Sequence, residues 1–550
     1  MSQINDNQPF KCAKFIARGS STINAQKKFF QVKVLGSNAK YLDIVLPESV
    51  LDGKQDELYK ALRNAGMNII TDKKVRNEVL TNLSRECENA INFSLNISES
   101  IGWQKNFQTF ALPNKIIATK DIEKYSFFCN EALQTHNVYS ESGTLAEWQK
   151  NVATPSKYSK RLMFGILCGF APAIMGLNSK SFKNESFACH LSSTSSTGKT
   201  TFLEVGASIW GGANYIHSWN ITKGAVEDLC LLHNCTTLCI DDIGKQGSDK
   251  KNKSSILKDI AFTLSDNKGR HTKLANNSNL NWQTIMLSTG EQCMHNPTLD
   301  AEQGSRVRMN DIKADAGCNL GIFEKLIDGS ECLAGMCSMI SNNAKKFYGT
   351  AGIEFVRRLQ RNILFAGKKL EQFITRRCNE YIAKAGINKQ NSQLLRVANN
   401  YALIYTAGCV AKRLKIIDWK EEEIFDAVNT VHLATLSLDN DQIIRERKEE
   451  LRMFIADYYQ RNAQYFSEKV FKEEFQGLIL KNPKRNSEKE ICFSKEIFLS
   501  VICKKYGDHQ TLKYLEEFWL KSSEGKDLNN RTIFGKRQWL YCFKLEVLGA

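Results

Sequence analysis

The chain has 550 residues, 42% hydrophobic and 24% charged, which gives material for several packed domains and excludes a disordered or collagen-like chain. No uninterrupted apolar run approaches the ~20 residues of a membrane span, and the polar opening MSQINDNQPFKCAKF lacks the apolar stretch of an export signal, so a cytoplasmic protein with no membrane partner is expected. The net charge of +16 points to a polyanionic partner, nucleic acid first, and the 17 scattered cysteines without a C-x-x-C pair read as reduced thiols.

Residues 1–9 are expected as a disordered tail and 10–150 as an accessory α+β domain. FFQVKVL (29–35) and YLDIVLP (41–47) are strand-like, Asp56–Ala65 has amphipathic helical spacing, and IGWQKNFQTFALPNKII (101–117) reads as two strands around a tight turn. An apolar helix over about 155–180 is interrupted by Pro172 and Gly176, and burial beside the next domain is its expected role.

That next domain, 151–335, holds the chemistry. In FACHLSSTSSTGKTTFLEVGASIW (187–210) a short apolar strand runs into small residues and then a helix. Small residues let backbone N–H groups converge on phosphates, and the helix N-terminus adds positive potential. Ser193, Ser195, Ser196, Thr197, Gly198, Lys199, Thr200 and Thr201 are the expected ATP-binding residues, with Lys199 on the β- and γ-phosphates and Thr200 on Mg²⁺. Ser193 stands where the full pattern has glycine.

CTTLCIDDIGK (235–245) is an apolar strand ending in two acids; Asp241 is expected in the Mg²⁺ shell and Asp242 as the base that polarises water, with Glu291 as its alternative. The nearby Cys230, His233, Cys235 and Cys239 are the tightest Cys/His cluster and could be weighed as a zinc site, but Cys239 sits inside the apolar run and buried thiols are the expected reading. NKGRHTKLANNSNLNWQ (267–283) has a basic arm (Lys268, Arg270, His271, Lys273), an Asn-rich turn and a return strand, whose plain reading is an exposed hairpin with solvated charges. TIMLSTGE then ends a buried strand in Ser288 and Thr289, either of which could contact the γ-phosphate or water. In GSRVRMNDIKAD (304–315), Arg306 and Arg308 are placed to reach the nucleotide of a neighbouring subunit.

The segment 336–450 reads as helical. Phe355, Leu359, Ile363, Leu370 and Ile374 keep helical spacing with a basic, solvated far side; a second helix over 394–414 carries Arg396, and 439–452 is a connecting helix. In 451–550 a Ser494-capped helix, the helix HQTLKYLEEFW, a strand, the basic loop SSEGKDLNNRTIFGKR and a final strand follow the order of a winged helix-turn-helix, which binds DNA or mediates protein contacts.

Taken together, H-L-x-x-x-S-S-T-G-K-T-T (190–201), S-I-W-G (208–211), LHNCTTLCIDDIG, W-x-x-x-x-L-S-T-G-E (282–291) and the Arg306/Arg308 segment resemble the P-loop ATPases of domain of unknown function 927. That family includes MCM-like replication helicases of bacterial mobile elements. The resemblance implies an α/β AAA+ P-loop NTPase core with an N-terminal α+β domain, a helical lid and a C-terminal winged-helix domain. It also implies a hexameric ring around DNA, single-stranded or forked, with 3′→5′ unwinding driven by ATP and Mg²⁺. By position, Thr289 or Ser288 matches the first sensor, Arg308 the arginine finger, Arg396 a second sensor, and Lys268, Arg270 and Lys273 the pore hairpin. Ser193 for glycine and Asp242 for glutamate depart from the family pattern. Two other readings stay open: a DNA-binding ATPase switch that assembles without unwinding, and a replication-initiation adaptor.

Overall fold

The computed structural model describes residues 12–36, 39–104, 107–128, 138–177, 185–243, 259–269, 281–291, 307–387, 390–467, 469–482, 488–504, 507–520 and 528–548. The expected tail (1–9), Arg270, Lys273 and Arg306 lie outside these residues. The chain divides into two units, Met1–Thr435 and Leu436–Ala550.

The first unit opens with an antiparallel meander, β1 (Ala13–Ser21), β2 (Lys28–Leu35) and β3 (Tyr41–Pro47), then α1 (Gln55–Asn64) and α2 (Lys73–Asn89). Asp72 caps α2 by accepting from the amides of Lys74 and Val75. β4 (Phe93–Ser98) returns parallel to β1. Phe30, Val32 and Val34 of the sheet meet Leu58, Leu62, Val79 and Leu83 of the helices, so one sheet face is closed by the helical pair.

β5 (Gly102–Trp103), β6 (Thr109–Leu112) and β7 (Lys115–Ala118) form a second, three-stranded sheet, one strand more than the sequence pattern indicates, and β8 (Tyr125–Phe127) rejoins the first sheet beside β4. This small sheet packs with the nucleotide core. Trp103 Nε1 donates to Ala173 O at 2.8 Å, Phe110 stacks on Trp210, and Gln360 donates to Ile117 O at 2.8 Å. Ile101, Trp103, Phe110, Leu112 and Ile117 therefore belong to the core cluster and not to the accessory layer.

α3 (Lys160–Leu177) runs through Pro172 and Gly176 without a break. By length and composition it could cross a membrane, but 83% of it is buried inside the protein, as expected of a core helix. β9 (Phe187–Ser192), α4 (Lys199–Ala207), β10 (Ile216–Ser218), α5 (Lys223–Leu232), β11 (Thr237–Asp241), β12 (Ile285–Gly290) and β13 (Met309–Lys313) follow. The five strands are all parallel in the order β10-β11-β12-β9-β13, an α/β core. Their near-continuous apolar runs reflect burial on both faces. Cys230, Cys235 and Cys239 are buried thiols whose pKa burial pushes up, and His233 bonds His217 and Tyr215 instead of joining them, so no zinc site is assembled there.

Three long helices follow, α6 (Leu333–Lys346), α7 (Thr350–Lys384) and α8 (Ser392–Arg413), the last buried along most of its length. The expected connecting helix is part of a longer one, α9 (Glu421–Asn462), which carries the chain into the second unit.

The second unit has β14 (Gly477–Asn482), β15 (Glu488–Ser494), helical turns over 495–502, α10 (Asp508–Tyr514), β16 (Trp519–Leu520), β17 (Asn529–Ile533) and β18 (Lys536–Lys544). The sheet order is β14-β15-β18-β16, with β17 also on β18. Ser494 caps the helical turns through the Ile497 amide, as the sequence indicates. Phe534 (φ 50°) and Gly535 (φ 72°) turn β17 into β18 with the left-handed pair that a tight hairpin requires. The helix expected to reach Trp519 stops at Tyr514, because Trp519 pairs with Phe543 in the sheet. Cys492 and Cys542 lie directly opposite on β15 and β18 and form a disulfide, against the expectation of reduced thiols throughout.

Candidate nucleotide site

β9 ends at Ser192 and the chain turns over 193–198 into α4. Two residues in that turn take positive φ, Ser196 at 63° and Gly198 at 96°. Ser193 does not, so the position where the pattern has glycine needs no left-handed backbone here. Ser193 N instead donates to Gly290 O at 3.2 Å, tying the loop to the end of β12.

The opposite wall of the loop is one that sequence spacing does not reveal. Ile322 N donates to Thr197 O at 3.0 Å, and Ile322 and Cys337 abut Gly198. Gly321 (φ 57°) lies so close that a Cβ there would stand 2.4 Å from Thr197 O. Only the pair of nearby glycines, Gly317 and Gly321, hints at this approach in the sequence.

An open cavity of about 260 Å³ is lined by Ser195, Ser196, Thr197, Gly198, Lys199, Thr200 and Thr201 from the loop and by Asp241, Asp242, Thr289, Gly290 and Glu291 from the strand ends. Sheet order explains the convergence. β12 lies between β9 and β11, so its carboxyl end sits between the loop and the two acids. Thr289 Oγ1 donates to Asp241 Oδ1 at 2.5 Å and accepts from Asp242 N at 3.3 Å. Asp242 itself has φ 60°. Ser288, the other residue the sequence leaves open, is fully buried and engaged by Trp219 Nε1 at 2.8 Å and His190 Nδ1 at 3.0 Å; the cavity therefore receives Thr289.

Lys199 Nζ donates to the carbonyls of Ser193 (2.8 Å) and Thr194 (2.5 Å). Burial lowers its pKa, opposed by the negative charges of Glu291, Asp241 and Asp242. A cation facing three carboxylates, with the Thr200 hydroxyl on the same wall, is a donor set that fits a Mg²⁺-bound polyphosphate.

The arginines form a second cluster. Arg396 Nη2 lies 2.7 Å from Glu185 Oε2, and Arg308 Nη2 is 3.6 Å from the same oxygen. Arg308 also donates to Ser265 Oγ at 2.6 Å and stacks over Phe262 at 4.8 Å. Glu185 precedes β9 and Arg308 precedes β13, so this cluster sits at the amino end of the parallel sheet, whereas the phosphate loop leaves its carboxyl end. The structure thus brings Lys199, Asp241, Asp242, Thr289 and Glu291 together and holds Arg308 and Arg396 apart from them. Glu185 escapes sequence reasoning because its partners are far along the chain.

Lys268 pairs with Asn281 in an antiparallel bridge, and Trp282 N donates to Asn267 O at 3.1 Å. These close the base of the expected basic hairpin; Arg270 and Lys273 lie beyond the described residues.

Comparison with known proteins finds the family described as domain of unknown function (DUF927) over residues 5–280. No curated protein matches. Among solved structures, one titled "SCCmec type IV Cch - active helicase" aligns with TM-score 0.59 and 18% identity over 98% of this chain and 95% of that one, a likeness of fold. With the family match spanning half the chain and including the 193–198 loop, Asp241 and Asp242 and three of the five parallel strands (β9, β10 and β11), the chain belongs to the DUF927 family.

Proposed function

We propose that this protein is an ATP-dependent DNA helicase or translocase of the MCM-like AAA+ type, acting in the cytoplasm as a homo-oligomeric ring, hexameric by resemblance, in the replication of a mobile genetic element. On this reading α6–α8 form the helical lid and residues 451–550 a winged-helix domain whose wing is the β17–β18 hairpin. The observation that carries the reading is Thr289, which ties Asp241 to Asp242 across the cavity from Lys199. Such a link joins the metal-binding acid, the water-polarising acid and the phosphate contact in one rigid unit.

Lys199 and the loop amides would hold the β- and γ-phosphates, Thr200 and Asp241 would hold Mg²⁺, and Asp242 would orient water, with Glu291 beside it. The ion supplies charge neutralisation of the phosphates when bound. Arg308 and Arg396 are too far from their own loop to take part within one subunit. Their place at the far sheet end supports a site completed by a neighbour, as ring assembly requires. Lys268, with Arg270 and Lys273, would contact the DNA.

The test is ATP turnover and strand displacement on a forked duplex, for the wild type and Lys199→Ala. Turnover and unwinding should both vanish in the folded variant. Unimpaired hydrolysis by Lys199→Ala would refute the site. Hydrolysis by the wild type without any strand displacement would favour the ATPase switch, for which the shorter Asp242 in place of glutamate is the supporting feature; assembly without turnover would favour the adaptor.

A further inference from the structure

Outside the nucleotide cavity and the Glu185 cluster, the strongest concentration of unused charge lies where α7 meets the end of α8. Three guanidinium groups surround one ring. Arg413, Arg377 and Arg376 place their Cζ atoms 4.9, 5.2 and 5.6 Å from the centroid of Phe373. On α7 the spacing 373, 376, 377 puts these side chains on one face, and Arg413 arrives from the last turn of α8.

The three arginines are not equivalent. Arg377 is spoken for: it lies 3.0 Å from Glu380 and 2.9 Å from Glu421, and Lys412 reaches Glu421 at 3.7 Å. Arg376 and Arg413 are exposed and, among the described residues, make no ion pair. The available carboxylates nearby are thus consumed by Arg377 and Lys412, apart from Glu371, which lines the same shallow groove as Arg376.

A guanidinium laid on an aromatic face keeps its in-plane N–H fork free and is restrained before any ligand arrives. Two such forks held on one ring match phosphate oxygens, which accept bidentate pairs. An acidic peptide fits less well, because Phe373 is already covered by guanidinium groups and offers no apolar anchor. Arg413 lies 17 positions beyond Arg396 on one helix, about 25 Å along its axis, so this cluster is separate from the inter-subunit arginines.

We propose that Arg376 and Arg413, held on Phe373, form a second DNA-binding site that grips the sugar-phosphate backbone without reading sequence. This rests on the reading that the protein acts on nucleic acid. It adds a site away from the 268–281 hairpin.

The experiment measures the affinity of the full chain for a fluorescent single-stranded and a duplex DNA oligonucleotide across a salt series, with thermal melting as the folding control. Arg376→Ala with Arg413→Ala should weaken duplex binding about tenfold or more at 0.1 M salt and lower the slope of log K against log salt by roughly 2, as loss of two phosphate contacts requires. Arg376→Lys with Arg413→Lys should recover part of the affinity. Should the double alanine variant melt early, Arg376→Gln alone, at an exposed position, should still lower the slope by about 1. Unchanged affinity and slope in a folded variant, with wild-type DNA binding intact, would overturn this site alone. Loss of polyglutamate binding in the double variant with DNA affinity and salt slope unchanged would also overturn it, in favour of an acidic protein partner. A wild type that binds no DNA would overturn this site together with the nucleic-acid reading.

Discussion

Replacing Arg308 with alanine should silence ATP hydrolysis while leaving the phosphate loop of the same chain intact. β9 separates the two with six residues, roughly 20 Å of strand, far beyond what an arginine side chain spans. If Arg308 acts, it acts on a neighbour. Loss of an arginine finger costs about 10³-fold or more in turnover, so Arg308→Ala and Lys199→Ala should each fall near background. Mixed in equal amounts and allowed to exchange, they regenerate one interface type that is whole: an intact loop on an Arg308→Ala subunit faces an intact finger on a Lys199→Ala subunit. Random assembly makes about one interface in four of this kind, so the mixture should recover up to about a quarter of wild-type ATPase. The assay is steady-state phosphate release, with subunit exchange verified by energy transfer between labelled chains. A mixture no more active than the mean of its components, despite proven exchange, would refute a trans-acting Arg308. The same mixing with Arg306→Ala and Arg396→Ala assigns their shares.

Thr289→Val keeps the shape and removes the hydroxyl between Asp241 and Asp242; nucleotide binding should persist while turnover drops about a hundredfold, read by equilibrium binding beside steady-state kinetics. Gly321→Ala would set a Cβ 2.4 Å from Thr197 O at a left-handed position, so it should cost about 1–3 kcal/mol in thermal or denaturant unfolding and weaken nucleotide affinity. Replacing Lys268, Arg270 and Lys273 together should lower DNA-stimulated ATPase more than basal ATPase, and full stimulation would remove the hairpin from the DNA path. Burial pushes His432 down to about 4 while it stacks on Tyr401, so the unfolded chain binds the extra proton between about pH 6.5 and 4. Stability contributed by neutral His432 is complete above pH 6.5 and falls by about 3 kcal/mol on acidification to pH 4; His432→Phe should flatten that slope in pH-dependent unfolding.

The elements read best from sequence are those whose signal is local. β9, β11 and β12 announce themselves as apolar runs bounded by small or acidic residues, and α1 by its spacing. The loop at 193–198 and the two acids could be placed from the sequence because each lies at the end of one element. The choice between Ser288 and Thr289 is not, since adjacent strand residues point to opposite faces and only the packed sheet says which face holds Trp219 and His190. Trp519 misleads for a related reason: HQTLKYLEEFW has helical spacing throughout, but pairing with β18 claims its last residue. The disulfide depends on strand register between residues 50 apart, which no spacing rule supplies.

Glu185 shows what sequence alone withholds. It lies in a polar stretch of no evident pattern, yet it collects Arg396 from 211 positions away and Arg308 from the strand edge. One carboxylate faces two guanidinium groups at the amino end of the sheet. Arg396 is about half exposed there, so its pair with Glu185 is weak and readily exchanged. In a ring, a neighbour's γ-phosphate carries more negative charge than Glu185 and offers tetrahedrally arranged oxygens that accept bidentate guanidinium pairs, so it would draw both arginines from their resting partner. The carboxylate would then hold the two side chains in a common direction between turnovers, and Glu185→Gln should weaken trans activation without altering nucleotide binding to the loop of the same subunit. Stronger activation in Glu185→Gln would show instead that the carboxylate competes with the phosphate more than it positions the arginines.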